Sequence, residues 1–220
     1  MINAMIFDFN GTMFFDGTIQ KDSWKEFLEE RFNRTMTDPE FNEHIAGRNN
    51  RHTFEYFSNR TFNDKELATI SEEKEQLYRE YCLNQPENFH LVDGLPEFLN
   101  RCQQENIKLN IATASERNNV NFFFNHLNLD KWFNIDQVAL NDGNLPGKPA
   151  PDMFLKAIKN IAADPENSAI FEDSVSGIQA ANRANTGKVV LVEDPKIDNV
   201  NIPTDLRIDT VIHDYRNFKI

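Results

Sequence analysis

The sequence has few cysteines, no long hydrophobic run and no concentration of positive charge. Its only cysteines are Cys82 and Cys102, which lie far apart and lack the spacing of metal ligands. We expect both to be reduced thiols with a structural role, as in a cytoplasmic protein. No apolar stretch has the length needed to span a bilayer, and the first residues lack the basic start of a signal peptide. We therefore expect a cytoplasmic protein without a membrane partner.

Negative charge predominates along the whole chain. The 35 acidic residues exceed the 23 Lys and Arg residues and give a formal net charge of −12. Proteins that bind the nucleic-acid backbone need a basic stripe, and none is visible, so a nucleic-acid partner is not expected. An anionic substrate would have to meet individual Lys or Arg residues or a metal ion. Nothing in the sequence requires more than a monomer.

Short β-branched or apolar segments alternate with helical patterns in most of the chain, which is typical of an α/β fold with a parallel sheet. A helix is expected after Leu95, because Pro96 suits the first helical turn and Phe98, Leu99 and Cys102 share one face. The predicted strands are residues 3–7, 108–112, a short piece near 137–140, 168–171, 188–192 and 210–212.

Residues 15–88 interrupt this alternation, because they contain helical periodicity and no convincing strand pattern. Two apolar stripes with helical spacing are visible there: Trp24, Phe27, Leu28 and Phe32, and then Leu67, Ile70, Leu77 and Tyr81. We therefore predict a Rossmann-like parallel-sheet core formed by residues 1–14 and 89–220. An all-helical domain is expected to be inserted into that core at residues 15–88.

The residues that follow the strands are the candidates for chemistry, because ligands of open parallel sheets bind where the strands end. The first strand is followed by Asp8, Phe9, Asn10, Gly11 and Thr12. This order places a carboxylate at the sheet edge, and the glycine lets the backbone turn sharply. A simple turn or helix-cap acid is the alternative interpretation.

Hydroxyl groups follow the second predicted strand. The segment Thr113-Ala114-Ser115 offers side-chain hydroxyls and backbone N–H groups at a junction between a strand and a helix. Such a junction suits an anion such as phosphate. Ser and Thr are also the usual helix caps, so this segment on its own remains open to a structural interpretation.

Two further segments supply charges. Prolines at 149 and 151 stiffen the chain beside Lys148, so its ammonium group has a defined origin. A fixed positive charge beside a carboxylate and a phosphate would stabilise a transition state. Glu172 and Asp173 follow the strand at 168–171, and adjacent hard oxygen ligands of this kind suit Mg²⁺.

These four segments, in this order, resemble the motifs of the haloacid dehalogenase superfamily of phosphohydrolases and phosphotransferases. The run from Asp8 resembles the first motif, Thr113 the second, Lys148 the third and the Glu172–Asp173 pair the fourth. The strings Lys-Pro-Ala-Pro-Asp and Glu-Asp-Ser-Val-Ser-Gly-Ile are similar to those of the branch that contains β-phosphoglucomutase and sugar-phosphate phosphatases. That branch has a helical cap between the first two motifs, where this chain has residues 15–88.

The resemblance implies a Mg²⁺-dependent phosphatase that acts on a small phosphorylated metabolite, such as a sugar phosphate, through an aspartyl phosphate on Asp8. The catalytic residues that it implies are Asp8, Asn10, Thr113 and Lys148. The implied metal ligands are the carboxylate of Asp8, the backbone carbonyl of Asn10, Asp173, and Glu172 either directly or through water. The implied substrate-binding residues are Gly11, Thr12, Ala114 and Ser115, together with Arg51 in the loop 47–51, for which Arg48 is a near alternative.

The chain departs from the family at Asn10. The family normally has a second aspartate two residues after the nucleophile, which protonates the leaving oxygen and then deprotonates the incoming water. An amide does neither, so reduced activity is expected. Asp16, His44 or His52 could supply a substitute base.

Three alternatives to a phosphatase follow from the same residues. A β-phosphoglucomutase-like isomerase ranks lower, because it must repeatedly activate a sugar hydroxyl and because Gln20 stands where the family has its cap-hinge histidine. A non-catalytic protein that binds phosphorylated metabolites is suggested by Asn10 alone. A carbon–halogen hydrolase also lacks the second aspartate, but it works without metal, so the Glu172–Asp173 pair counts against it.

Overall fold

The structure, a computed structural model, describes residues 1–45, 50–197 and 202–219. The chain divides into two compact units. The core unit comprises Met1–Phe15 and His90–Ile220, and the helical unit comprises Asp16–Phe89. The two units are described separately below.

A parallel sheet forms the centre of the core unit, as the sequence predicted. Five strands lie in the order β2-β1-β3-β4-β5, and each neighbouring pair is parallel. The strands are β1 (Ala4–Phe7), β2 (Lys108–Ile111), β3 (Ser168–Glu172), β4 (Lys188–Val192) and β5 (Thr210–Ile212). All residues of β1 and β3 are buried, which explains why these segments are mainly apolar and do not alternate with polar residues.

The strand expected near residues 137–140 is not formed. The chain there makes a short 3₁₀ helix, Ile135–Gln137, and then a single bridge between Ala112 and Ala139. Ala139 N–H donates to Ile111 O, and Thr113 N–H donates to Ala139 O. Because Gln137 N–H is turned back onto Asn134 O, the pairing does not extend toward the N-terminal side.

The helices of the core unit pack against the sheet. They are α5 (Leu95–Gln104), α6 (Arg117–Leu127), α7 (Asp152–Asn160) and α8 (Val175–Arg183), with further 3₁₀ helices at Leu129–Lys131 and Pro165–Asn167. Phe98, Leu99 and Cys102 of α5 are fully buried, so the face predicted for this helix is the one that packs.

The register of the sheet fixes where the strand ends meet. Phe7, the last residue of β1, pairs with Ile111 of β2 on one side and with Phe171 of β3 on the other. The residues that follow Phe7, Ile111 and Phe171 therefore emerge at the same edge of the sheet. The central strands thus bring together segments that are more than a hundred residues apart in sequence.

The helical unit consists of helices in its described residues, with no strand among them. They are α1 (Gly17–Phe32), α2 (Asp38–His44), α3 (Asn50–Ser58) and α4 (Asp64–Asn84). Capping boxes formed by Thr37 with Glu40 and by Asn63 with Glu66 begin α2 and α4. The aromatic stripe predicted for α1 packs within the hydrophobic cluster of the helical unit. The buried members of this cluster include Trp24, Phe27, Leu28, Phe54, Phe57, Phe62 and Ile70.

Both cysteines are buried and are not disulfide-bonded. Burial raises the pKa of each thiol to about 12, so both are protonated at neutral pH. Among the described residues, no helix combines the length and the apolar character that crossing a bilayer requires.

Candidate active site

Three carboxylates converge at the edge of the sheet. Asp8 follows β1, Glu172 ends β3 and Asp173 follows it. One carboxylate oxygen from each lies within 4.8 Å of the others. Asp8 is only 6% exposed and Glu172 only 1% exposed, so their negative charges are largely removed from water. Such a cluster requires compensating positive charge.

Lys148 supplies positive charge to this cluster. Its Nζ lies 2.5 Å from Oδ1 of Asp8 and 2.5 Å from Oε1 of Glu172. The lysine comes from the turn before α7, and its Nζ also lies 4.8 Å from the ring centre of Phe154 in that helix. Because the Lys148 side chain is only 8% exposed, the ammonium joins the two strand ends inside the protein rather than at its surface.

The pKa values of the buried pair follow from competing effects. Burial by itself would lower the pKa of Lys148, but the charges of Asp8 and Glu172 outweigh it and raise that pKa above its ordinary value. Burial by itself would likewise raise the pKa of Glu172, but the adjacent Lys148 and the hydrogen bonds from Ser174 lower it. Both groups are therefore charged at neutral pH.

Glu172 is held in place by the beginning of α8. Its Oε2 accepts hydrogen bonds from the backbone N–H groups of Asp173 and Ser174, both at 2.7 Å, and from Ser174 Oγ at 3.0 Å. Ser174 Oγ also caps α8 by accepting from Gly177 N–H at 3.0 Å. One carboxylate oxygen thus faces Lys148 while the other is fixed by the helix terminus.

The turn after β1 is shaped around Asp173. Gly11 has a φ of +78°, and a Cβ at that position would lie 2.0 Å from Oδ2 of Asp173, so only glycine fits. Thr12 Oγ1 donates a hydrogen bond of 3.5 Å to Oδ1 of Asp173. The N–H groups of Gly11 and Thr12 donate to Phe14 O and Phe9 O within the turn. Gly11 and Thr12 thus pack against Asp173, one of the three carboxylates of the acidic cluster.

The hydroxyl segment after β2 meets the same turn. Ser115 Oγ donates a hydrogen bond of 2.9 Å to Oδ1 of Asn10. Ser115 N–H in turn donates to Thr113 Oγ1 at 3.1 Å, while Ala114 between them is exposed. Thr113 itself is only 2% exposed. The sheet thus brings Asn10 and Ser115 together, as expected for residues that follow neighbouring strands.

Tyr215, which was not predicted from the sequence, lies against the turn after β1. Its ring is fully buried and its hydroxyl donates to the backbone carbonyl of Thr12 at 3.1 Å. Burial, together with the charges of Asp8 and Asp173, raises the pKa of this phenol, so it is neutral. Tyr215 lies in the segment after the short strand β5, where no sequence pattern indicates a functional residue.

Arg51, the predicted substrate-binding arginine, is engaged within the helical unit. Its guanidinium donates to the carbonyl of Phe62 at 2.7 Å and to Oδ1 of Asp64 at 2.6 Å. These bonds join α3 to the beginning of α4. Residues 46–49, which include most of the expected loop and the alternative Arg48, lie outside the described residues.

The three candidates for a substitute base, Asp16, His44 and His52, lie in two different environments of the helical unit. Asp16 is only 3% exposed, and its Oδ2 accepts from Tyr78 OH at 2.7 Å and from Gln20 Nε2 at 3.1 Å. His44 Nδ1 and His52 Nε2 lie 3.3 Å apart near the protein surface. The bonds that engage Asp16 show that it is built into the interior of this unit.

The burial of Lys74 in α4 was likewise not predicted from the sequence. This lysine is only 2% exposed, its Nζ donates to Gln20 Oε1 at 3.1 Å, and it lies 4.6 Å from the ring centre of Trp24. The predicted apolar stripe of α4 did not include it, because a lysine within a helical pattern is usually solvated. Its only signal is its spacing of one helical turn from Ile70 and Tyr78.

Comparison with known proteins agrees with this geometry. The family model described as "haloacid dehalogenase-like hydrolase" matches residues 5–192. The chain belongs to this family. A haloacid dehalogenase-like hydrolase of family IA, variant 3, from Entamoeba histolytica HM-1:IMSS superimposes with a TM-score of 0.85 and 31% identity, over 100% of this chain and 96% of that one. The fold and hydrolase class predicted from the sequence are therefore confirmed.

Two further similarities concern named enzymes. The phosphorylated carbohydrates phosphatase of Thermotoga maritima is 28% identical over 120 residues, which cover 54% of this chain and 51% of that protein. The match therefore spans about half of that relative. The β-phosphoglucomutase of Clostridium difficile has a structure with a TM-score of 0.76 and 25% identity, over 100% of this chain and 94% of that one.

Proposed function

We propose that this haloacid dehalogenase-like hydrolase is a Mg²⁺-dependent phosphatase for a small phosphorylated metabolite, with Asp8 as the nucleophile. The observation that carries the proposal is the position of Lys148, whose Nζ lies 2.5 Å from both Asp8 and Glu172. A buried ammonium beside a strand-end carboxylate suits the binding of an anionic group that the carboxylate then attacks.

The donor set of the acidic cluster fits Mg²⁺. The carboxylates of Asp8, Glu172 and Asp173 are hard oxygen ligands, and they converge within 4.8 Å. The residues that would hold the ion are these three, with the backbone carbonyl of Asn10. When bound, Mg²⁺ would offset the negative charge of the carboxylates and of the phosphoryl group.

The side chains of the core unit divide the remaining tasks. A carboxylate oxygen of Asp8 forms the new bond to phosphorus, and water later releases the phosphoryl group from it. Lys148 neutralises the phosphoryl oxygens during both transfers. Thr113 and Ser115, with the backbone of Ala114, are proposed to bind the same oxygens, because this segment follows β2 and contacts the turn after Asp8 through Asn10.

A phosphorylated carbohydrate is the proposed substrate class. The support is the named activity of the Thermotoga maritima relative, which shares 28% identity with this chain over 120 residues. Arg51 is proposed to bind a second anionic group of such a substrate, in exchange for its present bond to the fully exposed carboxylate of Asp64. Arg51→Gln should then raise KM, whereas Arg60→Gln, a change of another exposed arginine of the helical unit, should not.

Turnover of p-nitrophenyl phosphate with MgCl₂ or with EDTA tests the proposal. Activity is expected with Mg²⁺ only, and Asp8→Asn should abolish it while the exposed Asp130→Asn retains it. Acid-quenched enzyme should contain one phosphoryl group on the peptide that includes Asp8. Absence of turnover in both the unaltered protein and Asn10→Asp would contradict the proposal and favour a non-catalytic binding protein.

A β-phosphoglucomutase-like activity is the second candidate. It is favoured by the structural similarity to the Clostridium difficile enzyme, at 25% identity and a TM-score of 0.76. A coupled assay that detects glucose 6-phosphate formed from β-glucose 1-phosphate distinguishes the two. Release of inorganic phosphate without glucose 6-phosphate would support the phosphatase.

A further inference from the structure

Asn10 is hydrogen-bonded into the candidate active site. It lies two residues after Asp8, and its Oδ1 accepts the 2.9 Å hydrogen bond from Ser115 Oγ. Ser115 is itself fixed, because its N–H donates to Thr113 Oγ1 at 3.1 Å and its carbonyl accepts from Asn141 N–H at 3.1 Å. The amide is thus held where the turn after β1 meets the segment after β2.

Among the described residues, the side chains that meet at Asn10 offer hydrogen bonds but no transferable proton. A carboxamide donates and accepts hydrogen bonds without ionising, and the hydroxyls of Thr113 and Ser115 behave in the same way near neutral pH. The carboxylate of Glu172 is committed to Lys148 and to two backbone N–H groups. From these side chains, a departing oxygen beside Asn10 can therefore receive a hydrogen bond but not the proton of a positioned acid.

We propose that the site selects its substrates by the basicity of the leaving oxygen. It hydrolyses phosphates whose leaving oxygen is weakly basic, namely anomeric carbohydrate phosphates and acyl phosphates, in preference to phosphate esters of ordinary alcohols. This inference rests on the proposed function and names the substrate class of the same site. An anomeric oxygen is less basic than a primary alkoxide, because the adjacent ring oxygen withdraws electron density.

The chemical step balances without an acidic side chain. A carboxylate oxygen of Asp8 forms a bond to phosphorus, the bond from phosphorus to the leaving oxygen breaks, and its electron pair stays on that oxygen. The departing anion takes its proton from water. A second water then attacks phosphorus and the bond to Asp8 breaks. One proton of that water stays on the inorganic phosphate, and the other neutralises the hydroxide that the first water left.

The value of kcat/KM is the quantity to measure, because it reports the transfer to Asp8 even when release of the phosphoryl group is slower. We expect glucose 1-phosphate and acetyl phosphate to exceed glucose 6-phosphate by about 10²–10⁴-fold, the usual contribution of a positioned acid. A series of para-substituted phenyl phosphates of similar shape should show kcat/KM falling steeply as the phenol becomes more basic.

Asn10→Asp is the matched variant, because aspartate can still accept the bond from Ser115 Oγ while adding a carboxyl group. We expect it to raise kcat/KM for glucose 6-phosphate by about 10²-fold or more, and to raise that for acetyl phosphate by a much smaller factor. In this variant, kcat/KM for the phenyl phosphates should depend only weakly on the basicity of the phenol.

Equal kcat/KM values across the phenyl phosphates in the unaltered protein would overturn the inference even if the variant does not fold. That result would leave the proposed function intact, because turnover dependent on Asp8 would still be present. Loss of all turnover with every substrate, in both proteins, would instead contradict the proposed function itself.

Discussion

Gly177 lies so close to Glu172 that a Cβ atom built on the glycine would be 1.7 Å from Oε1 of the glutamate. The glycine belongs to the first turn of α8, and the N–H groups of Asp173 and Ser174, just before that helix, hold the other oxygen of Glu172. The helix backbone therefore sets both the hydrogen bonding and the closest approach of this carboxylate. No side chain larger than hydrogen fits without moving it.

Gly177→Ala should lower activity rather than prevent folding. Alanine favours a helix, but its Cβ would displace the carboxylate of Glu172 from Lys148, and a misplacement of about 1 Å can cost about 10²-fold in rate. We expect kcat/KM to fall by about that factor and the Mg²⁺ concentration for half-maximal activity to rise. Gly147→Ala is the control, because a Cβ there has no atom within 4 Å. Unchanged kinetics in Gly177→Ala would contradict the role assigned to this contact.

Lys148→Met should destabilise the protein and abolish turnover. Removing the ammonium leaves the buried charges of Asp8 and Glu172 without the cation that joins them, and breaking a buried ion pair costs about 3–5 kcal/mol. We expect the urea midpoint to fall in EDTA and to recover partly in MgCl₂. In Lys156→Met, a change at a partly exposed pair with Asp142, the loss should stay below about 1 kcal/mol. Equal effects of the two substitutions would show that burial of Lys148 is energetically unimportant.

The same ion pair should make stability depend on pH in a defined way. The pKa of Glu172 is lowered from 4.5, so its stabilisation is present above that pH and is lost as the pH falls through the lower value in the folded protein. The pKa of Lys148 is raised from 10.5, so its stabilisation is present below that pH and is lost as the pH rises through the higher value in the folded protein. Between these two pH values, Glu172 and Lys148 are both charged.

In Lys148→Met, we expect the pH dependence of stability on the acidic side of neutrality to reverse its sign. Without the ammonium, burial disfavours the ionised form of Glu172, so the free energy of unfolding should decrease as the pH rises from about 4 to 8. Urea unfolding at a series of pH values in EDTA measures this slope for both proteins. Parallel curves would indicate that Lys148 does not set the ionisation of Glu172.

Tyr215→Phe should lower stability without changing the fold. The substitution leaves the carbonyl of Thr12 without the bond from the phenol, and a buried unsatisfied group costs about 1–3 kcal/mol. Tyr56→Phe is a suitable control, because Tyr56 is 39% exposed and its ring stacking on His44 is retained. Urea unfolding should show a shift for Tyr215→Phe and a change within about 0.5 kcal/mol for the control.

The strand-end acids could be located from the sequence because two signals coincide. Asp8 and the Glu172–Asp173 pair each come at the end of a short, mainly apolar segment, and such segments are typical of buried parallel strands. The rule that parallel strands end at the same edge then predicts that these carboxylates meet. The piece at 137–140 satisfied the apolar pattern too, but its pairing is limited to one bridge, which local sequence does not reveal.

Only the tertiary structure decided which side chains complete the site. The contact of Lys148 with Asp8 joins residues 140 positions apart, through a turn that has no strand pattern of its own. Tyr215 and Gly177 acquire their roles from packing against the turn after β1 and against Glu172. The sequence by itself determined the α/β class and the acidic residues at the ends of β1 and β3, since these follow from hydrophobic periodicity, which is local. Partners that meet across the fold depend on distances that no local pattern encodes.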